Sequence, residues 1–204
     1  MIGVALATED ALSEALGCRL LKEAIIRLRV DLLLRRQGVG YLRSRLRNWQ
    51  EMARHGQPVV LITDLDRTPC APQLVREWLG TAAPLQNLVI RVAVREAESW
   101  LLADHEGMQS LLGQRCRPPR FPDELRDPKD RLIELATKGP RAVRDEVVRV
   151  NGSKARQGIG YNRCLSEFVA SIWSPVRAEK RSPSLRSARQ RIDELATRID
   201  SLSD

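Results

Sequence analysis

The sequence predicts an α/β fold with a mostly parallel sheet flanked by helices and a helical C-terminal extension. Short apolar runs in the first half of the chain alternate with stretches of helical periodicity. Strands separated by helices need crossover connections, which favour parallel pairing. Beyond Asp104 the strand pattern disappears. We therefore expect an α/β core over residues 1–104 and a basic helical extension, packed on that core, over residues 105–204.

The core begins with an apolar run at residues 2–7, which predicts a strand. Thr8 can cap the next helix, which has Leu12, Leu16 and Leu20 at helical spacing. The remaining core elements are an apolar run at 25–34 ended by Gly38 and Gly40, a helix at 41–53, a strand at 58–63, a helix at 71–79, a strand at 88–94 and a helix through Trp100 and Leu102.

The extension begins with a loop, because residues 117–128 contain four prolines. Short helices are predicted at 129–137 and 142–148, then a glycine-containing segment at 151–160 and a helix at 161–173. A final helix starts at Ser182 or Ser184, with Pro183 at a position that suits a first helical turn. Its apolar residues repeat at helical spacing to the end of the chain.

Composition excludes several classes of protein. The 204 residues contain no apolar run of about 18 residues, and the opening residues become acidic too early for a secretory signal. The four cysteines are dispersed, without a CxxC pair, so we expect a cytoplasmic protein without a zinc knuckle. With only two histidines, the chemistry must depend on carboxylates, amines or hydroxyls.

Positive charge is concentrated in the C-terminal third. The formal net charge is +8, and residues 138–191 contain thirteen basic and four acidic residues. This imbalance favours a polyanionic partner such as nucleic acid, bound in a salt-dependent way. A solvated basic surface is the alternative for any single residue. The candidate phosphate-binding residues are Lys138, Arg156, Arg181, Arg186 and Arg189.

Three acidic clusters each follow an apolar strand. They are Glu9 with Asp10, Asp64 with Asp66, and Glu96 with Glu98. Because parallel strands end along one edge of the sheet, we expect the clusters to converge there. Hard oxygen ligands suit Mg²⁺ or Mn²⁺. The alternative is that these acids stabilise helix N-termini, and Asp104 is either a further participant or a helix end.

Two known patterns compete to explain Asp64 and Asp66. The string DLDRT resembles the first motif of haloacid dehalogenase phosphatases, in which the first Asp attacks phosphate and the second is an acid or base. That short motif is weakly specific. The chain differs from the family in having a βαβ region before the motif, and it has no evident acidic pair of the family's later motif.

The second pattern covers residues 4 to about 195. The chain resembles a Toprim domain in having an acid after the first strand, an Asp-x-Asp after a later strand and carboxylates behind the next. The Toprim domain is the Mg²⁺-binding module of topoisomerases, primases and overcoming-lysogenization-defect nucleases. The strings LITDLDRTPCAP, RVAVREAESWLLAD, DPKDRLIELA, GYN and SPSL resemble a bacterial family of Toprim-like domains of unknown function. The resemblance implies that Glu9, Asp64 and Asp66 bind metal and that Glu96 and Glu98 are additional ligands.

These observations lead to the hypothesis of a Mg²⁺- or Mn²⁺-dependent nuclease. Glu9, Asp64, Asp66 and one of Glu96 or Glu98 would hold the metal, which would activate water. Lys129 and Lys154 are the candidates for a lysine facing the scissile phosphate. Resemblance to the nuclease branch implies an ABC-type ATPase partner. The alternatives are a noncatalytic subunit that binds nucleic acid or protein, and a dehalogenase-type phosphatase.

Overall fold

A computed structural model of the protein describes residues 2–35, 38–80, 85–150 and 154–202. It confirms the α/β class: a four-stranded, all-parallel sheet is flanked by helices, and a long helix ends the described chain. The strand order is β2-β1-β3-β4. The strands are β1 (Ile2–Thr8), β2 (Leu28–Arg35), β3 (Val59–Asp64) and β4 (Leu88–Ala93).

Eleven helices occur in the described residues. They are α1 (Ala11–Lys22), α2 (Val39–Ser44), α3 (Leu46–Arg54), α4 (Ala71–Leu79), α5 (Glu98–Ala103), α6 (His105–Leu112), α7 (Pro128–Thr137), α8 (Arg141–Val147), α9 (Tyr161–Ser171), α10 (Pro175–Ala178) and α11 (Pro183–Asp200), with one 3₁₀ turn at Pro122–Glu124. Ser182 caps α11, its hydroxyl accepting a hydrogen bond from the Leu185 amide, so Pro183 occupies the first turn as the sequence predicts.

Two local predictions are wrong. The cap of α1 is Asp10, whose Oδ1 accepts from the Ser13 amide at 2.9 Å, because Thr8 still belongs to β1 and pairs with its neighbouring strands. The helix predicted at 41–53 is divided between α2 and α3 at Arg45. Near the division the Trp49 indole donates to the Leu42 carbonyl at 3.3 Å, an acceptor that a continuous helix would use internally.

The sheet is buried on both faces. One face packs against α1 and the C-terminal helices in a continuous apolar cluster that includes Leu6, Val60, Trp100, Phe168 and Ile192. The other face packs against the helices that precede β3 and β4. Helix α9 lies on α1 and α11 lies along β4, so the extension covers a full face of the core. In the part of the chain described, no helix has the length and apolarity needed to cross a membrane.

The strand register determines where the acidic clusters lie. Thr8 of β1 pairs with Ile62 of β3, and Asp64 pairs with Ala93 of β4. The residues that follow these three strands therefore leave the sheet at the same edge, as the carboxyl ends of parallel strands must. We call this the carboxyl edge of the sheet.

Candidate functional site

Glu9 and Asp64 meet at the carboxyl edge although 55 positions separate them. Glu9 follows β1, and its Oε1 accepts hydrogen bonds from the Asp64 amide at 3.0 Å and from the Thr63 hydroxyl. Asp64 ends β3, and its Oδ1 accepts from the Ala97 amide at 2.9 Å. The Asp64 carboxylate thus joins β3 to the segment that follows β4.

The charges of Glu9 and Asp64 are poorly compensated. Burial raises the pKa of Glu9, although hydrogen bonds from Thr63 and Asp64 oppose that shift. Burial also raises the pKa of Asp64 well above its ordinary value, and the charges of Glu98, Glu9, Asp10 and Asp66 raise it further. Among the described residues neither carboxylate has an ion-pair partner.

Asp66 lies beside this pair but is exposed to solvent. It adopts a left-handed backbone conformation with φ of 49°, a region that few side chains other than Asn and Asp adopt. Its amide donates to the Arg95 carbonyl at 2.9 Å, and the Arg95 guanidinium donates to the Asp66 carbonyl at 3.1 Å. The turn after β3 is therefore held by its backbone, and among the described residues no hydrogen-bond donor contacts the Asp66 carboxylate.

Glu98 differs from Glu9 and Asp64 because the Tyr161 hydroxyl and the Lys129 ammonium lie beside its carboxylate. Its side chain is buried, and its Oε1 accepts from the Tyr161 hydroxyl at 2.7 Å. The Lys129 ammonium lies 3.7 Å from the same oxygen and 4.8 Å from the centre of the Tyr161 ring. Burial and the nearby Glu98 charge raise the pKa of Tyr161 far above its ordinary value, so the phenol stays a donor.

Glu96 belongs to a second neutralised group. Its Oε2 accepts from the Lys129 amide at 2.9 Å, and its Oε1 lies 3.5 Å from the Arg156 guanidinium. Arg156 also pairs with Asp127 and, at 2.7 Å, with Asp130. Burial lowers the pKa of Arg156, but the hydrogen bond to Asp130 and the surrounding carboxylates raise it overall. Arg156 is therefore a bridge between α7 and the segment after β4.

The chemistry of the donors at the carboxyl edge fits a hard divalent cation. Mg²⁺ is commonly bound by one or two carboxylates, with water and substrate phosphate completing its six oxygens. Glu9 and Asp64 offer such a pair, and Asp66 is an exposed carboxylate two residues beyond Asp64. Across the described ranges no group of three or more His, Cys, Asp and Glu side chains is arranged for metal binding. A metal here would depend on water or phosphate oxygens for the rest of its coordination.

A cleft of mixed charge opens beside Asp66. Its volume is about 930 Å³, and its walls contain four arginines and four acids: Arg67, Arg95, Arg126 and Arg156, and Asp66, Glu96, Glu124 and Asp127. Arg67 and Arg126 are exposed and form no ion pair within the described residues. Free guanidinium groups bind phosphate oxygens well because their donors match the geometry of the anion. The cleft can therefore hold a phosphodiester next to the acidic pair.

The other candidate cations lie elsewhere. Lys138 follows α7, at the opposite end of that helix from Lys129, and lines a separate cavity with Arg117 and Arg131. Lys154 is exposed, and Arg181 is half-buried before α11.

Arg186 and Arg189 are both held by Glu179. Arg186 donates to the Glu179 carbonyl at 3.0 Å, and Arg189 pairs with the Glu179 carboxylate at 2.5 Å. They line a cavity that extends to Ile25, a residue that precedes β2. That cavity therefore lies at the amino ends of the strands, on the side of the sheet away from the carboxyl edge and Asp64.

Asp104 is structural. It is fully buried, caps α6 through the Gly107 amide at 3.1 Å, and accepts two hydrogen bonds of 2.7 Å from Arg177. The sequence left Asp104 as either a participant in the acidic site or a helix end, and these contacts correspond to a helix end.

Sequence reasoning missed several residues of the site. Thr63 and Tyr161 contact the carboxylates directly, and Arg67 and Arg126 line the cleft. Arg67 lies inside DLDRT and Tyr161 inside GYN, so both could have been selected from strings already singled out. Arg126 lies in the proline-rich loop, where no periodicity indicates the direction of a side chain.

Comparison with protein-family models, with curated proteins and with solved structures finds no match to this chain. The Toprim resemblance is therefore a prediction that rests on the strings given above.

Proposed function

We propose that the chain is a Mg²⁺- or Mn²⁺-dependent phosphodiesterase that cleaves nucleic acid in the cytoplasm. The observation that supports this most is the meeting of Glu9 and Asp64 at the carboxyl edge, where no basic side chain of the described residues pairs with either. The Glu9 carboxylate contacts the Asp64 amide, and the two partly buried carboxylates repel one another unless a positive charge neutralises them. A divalent ion would supply that charge.

Different residues of the chain would bind the metal, hold the phosphodiester and position the lysine. Glu9 and Asp64 would hold the metal, with Asp66 as the third carboxylate, and the bound ion would supply Lewis acidity and an activated water. Arg67 and Arg126 would hold the phosphodiester in the cleft beside Asp66. Glu96 and Glu98 would set the position of Lys129, which contacts both through its backbone and its ammonium group. Lys129 is thus favoured over the exposed Lys154 as the lysine of the site.

Nuclease activity is the first test. Full-length protein is incubated with plasmid DNA and with single-stranded DNA, in Mn²⁺ or in chelator, and the products are resolved on gels. We expect cleavage only with metal, and a loss of rate of about 10²–10³-fold in Asp64→Asn, the size seen when an electrostatic group of a reaction centre is removed. Absence of cleavage with undiminished DNA binding would instead identify a noncatalytic binding subunit.

The binding surface can be tested separately. Fluorescence anisotropy with a labelled duplex compares Arg67→Ala/Arg126→Ala with Arg186→Ala/Arg189→Ala, since each pair removes two positive charges. We expect the first pair to lower affinity and to reduce the slope of log K against log salt by about 1 for each lost phosphate contact. A larger loss in the second pair would assign nucleic-acid binding to the C-terminal third, as the charge distribution predicts.

The dehalogenase alternative has a different signature. It requires an aspartyl-phosphate on Asp64, and beryllium fluoride with Mg²⁺ mimics that species. Stable trapping on Asp64, with turnover of an aryl phosphate monoester that Asp64→Asn abolishes, would replace the nuclease proposal by a phosphatase. An ABC-type ATPase partner is part of the nuclease proposal and is tested by whether such a protein stimulates cleavage.

A further inference from the structure

Strand β4 is an open edge of the sheet. In the described residues it pairs with β3 alone. The Val59 amide donates to the Asn87 carbonyl at 2.7 Å, and the Leu65 amide donates to the Ala93 carbonyl at 2.9 Å. In a parallel ladder, alternate residues direct both backbone groups to the same neighbour. The odd-numbered residues of β4 therefore face β3, and the N–H and C=O groups of Ile90 and Val92 point away from the sheet.

A groove reaches this edge, where Ile90 and Val92 are only 7% and 4% exposed. It has a volume of about 1100 Å³ and runs between α4 and α11, with β4 at its base. Its α4 side is mainly apolar, with Leu65, Val75 and Leu79, and also includes Arg76. A strand added to β4 would place alternate side chains against α4 and against α11, because strand side chains repeat with a period of two. The groove has the form of a site for one extended segment.

The α11 side of the groove is cationic. The Arg91 side chain leaves β4 on this side and donates to the Ser187 hydroxyl at 3.3 Å, while its Nε is buried and has no hydrogen-bond partner among the described residues. Burial lowers the pKa of Arg91, and the nearby Arg191 lowers it further, although Glu194 opposes this. A buried donor without an acceptor costs free energy. A carboxylate entering the groove would give Arg91 the acceptor it lacks.

The acids at the end of the groove do not fill that role. Asp123 accepts from the Ser182 hydroxyl at 2.8 Å and from the Ser184 amide at 2.9 Å, so it is occupied at the start of α11. Neither Asp123 nor the exposed Glu124 is among the charges that shift the pKa of Arg91. Glu194 does act on Arg91, but its carboxylate pairs with the Arg191 guanidinium at 2.6 Å. Among the described residues no carboxylate therefore accepts from the Arg91 Nε.

The opposite edge of the sheet is different. Strand β2 has an Arg29–Asp31 ion pair on its surface, and its register with β1 shifts beside Asp31. Surface charge and an irregular register are devices that block strand addition. Strand β4 has a regular register, and its residues form no ion pair within the described ranges. Pairing between two copies of β4 would bring each Arg91 and Arg191 toward the same cations of the other copy, which like-charge repulsion opposes.

We propose that β4 binds an extended segment of a protein partner as an added strand, with apolar side chains against α4 and an acidic side chain paired with Arg91 and Arg191. Charge complementarity selects an acidic segment over a basic one. Addition of a strand to an exposed sheet edge is a common mode of peptide recognition, in which the backbone gives affinity and alternate side chains give specificity. The unpaired backbone groups favour a peptide, because a strand can pair with both their N–H and their C=O groups, whereas phosphate oxygens can only accept from the N–H groups.

The probe is a fluorescent nine-residue peptide, TVTVEVTVT, whose central Glu and flanking Thr face one side and whose Val residues face the other. We expect it to bind the full-length chain and to slow amide hydrogen exchange of Ile90 and Val92 in NMR spectra. Replacing the central Glu by Lys should weaken binding at least about tenfold, as expected for the loss of a charge-assisted hydrogen bond.

Variants of the protein complete the test. Arg191→Ala should weaken binding of the Glu peptide about tenfold or more and bring its affinity close to that of the Lys peptide. Lys180→Ala removes one exposed positive charge outside the groove and should change affinity less than about twofold. Arg91→Met should act like Arg191→Ala, and the exposed Arg191 keeps the test valid if Arg91→Met impairs folding.

Several outcomes would overturn the proposal. One is no binding of the Glu peptide at millimolar concentration. Another is equal binding of the Glu and Lys peptides, or binding without protection of Ile90 and Val92. The third is self-association of the chain that a proline at Val92 abolishes in sedimentation experiments, which would assign the edge to a second copy. Displacement of the peptide by single-stranded DNA, with protection of neither amide, would assign the groove to nucleic acid.

Discussion

The carboxyl edge of the sheet contains two acidic groups that are built differently. Glu96 and Glu98 lie against Lys129, Arg156 and the Tyr161 hydroxyl. Glu9 and Asp64 lie against backbone amides and one hydroxyl, with no cation among the described residues. Both groups follow neighbouring strands, and both look alike in the sequence.

This difference separates carboxylates that the protein neutralises itself, as in the Glu98 group, from carboxylates that it leaves unpaired, as in the Glu9 group. A buried carboxylate costs free energy unless it is paired and hydrogen-bonded. The Glu98 group satisfies that requirement internally and joins the extension to the core. The Glu9 group does not, and the unmet requirement is what a bound cation would satisfy. The first group should thus lose stability when a partner is removed, and the second should gain stability when a charge is removed.

The largest effect is expected from Lys129→Met. This change leaves the buried Glu98 carboxylate without its cation, and breaking such a pair costs about 3–5 kcal/mol. Urea denaturation of the full chain measures the loss. Lys138→Met, just beyond the other end of α7 and exposed, is the matched control and should change the free energy of unfolding by less than about 0.5 kcal/mol. Equal effects of the two substitutions would contradict the distinction between the groups.

A divalent metal should have the next largest effect. If Mn²⁺ binds only the folded protein, a concentration 100 times the Kd adds about 2.7 kcal/mol to the free energy of unfolding. Thermal melts in Mn²⁺ and in chelator measure this for the wild type, Glu9→Gln, Asp64→Asn and Asp66→Asn. We expect most of the gain to vanish in Asp64→Asn. Melting curves that metal leaves unchanged in all four proteins would remove the nuclease mechanism.

Asp64→Asn in chelator should stabilise the protein at pH 7 by about 0.5–2 kcal/mol, the size of ordinary stabilising substitutions. Asn keeps an oxygen for the Ala97 amide but removes the charge that burial and Glu98 disfavour. Because the folded-state pKa of Asp64 is raised, the wild type loses stability as the pH rises through that pKa. The gain from Asn should therefore shrink in acid, where Asp64 is protonated, and an unchanged gain would contradict this cause.

The smallest effect is expected from Arg156→Gln. Its ion pairs with Asp127, Asp130 and Glu96 are partly exposed, and such pairs contribute about 0.2–1 kcal/mol. Salt screens them, so the loss should fall toward zero in 1 M NaCl. Arg43→Gln on α2, exposed and without an ion pair in the described residues, is the control and should be neutral at both salt concentrations. A salt-independent loss would indicate packing of the side chain instead.

The sequence was informative about the elements of the fold. The helix bounds Ala71–Leu79 match the prediction, and β3 and β4 each lie within one residue of theirs. Apolar periodicity is a local property, so it can be recognised without knowing the neighbours of a segment. The division of the helix at Arg45 could not be recognised in this way, because it depends on how the Trp49 indole meets a carbonyl in the folded chain.

For the candidate site, the sequence by itself determined that acids follow three strands, and parallel topology then required those acids to share an edge. Only the tertiary structure decided which of them are neutralised. Lys129 and Tyr161 contact Glu98 from 31 and 63 positions away in the sequence. Arg156 contacts Glu96 from 60 positions away. Such separations leave no local periodic signal. The electrostatic state of each carboxylate depends on charges within a few ångströms in space, and the packing of α7 and α9 against the segment after β4 determines those.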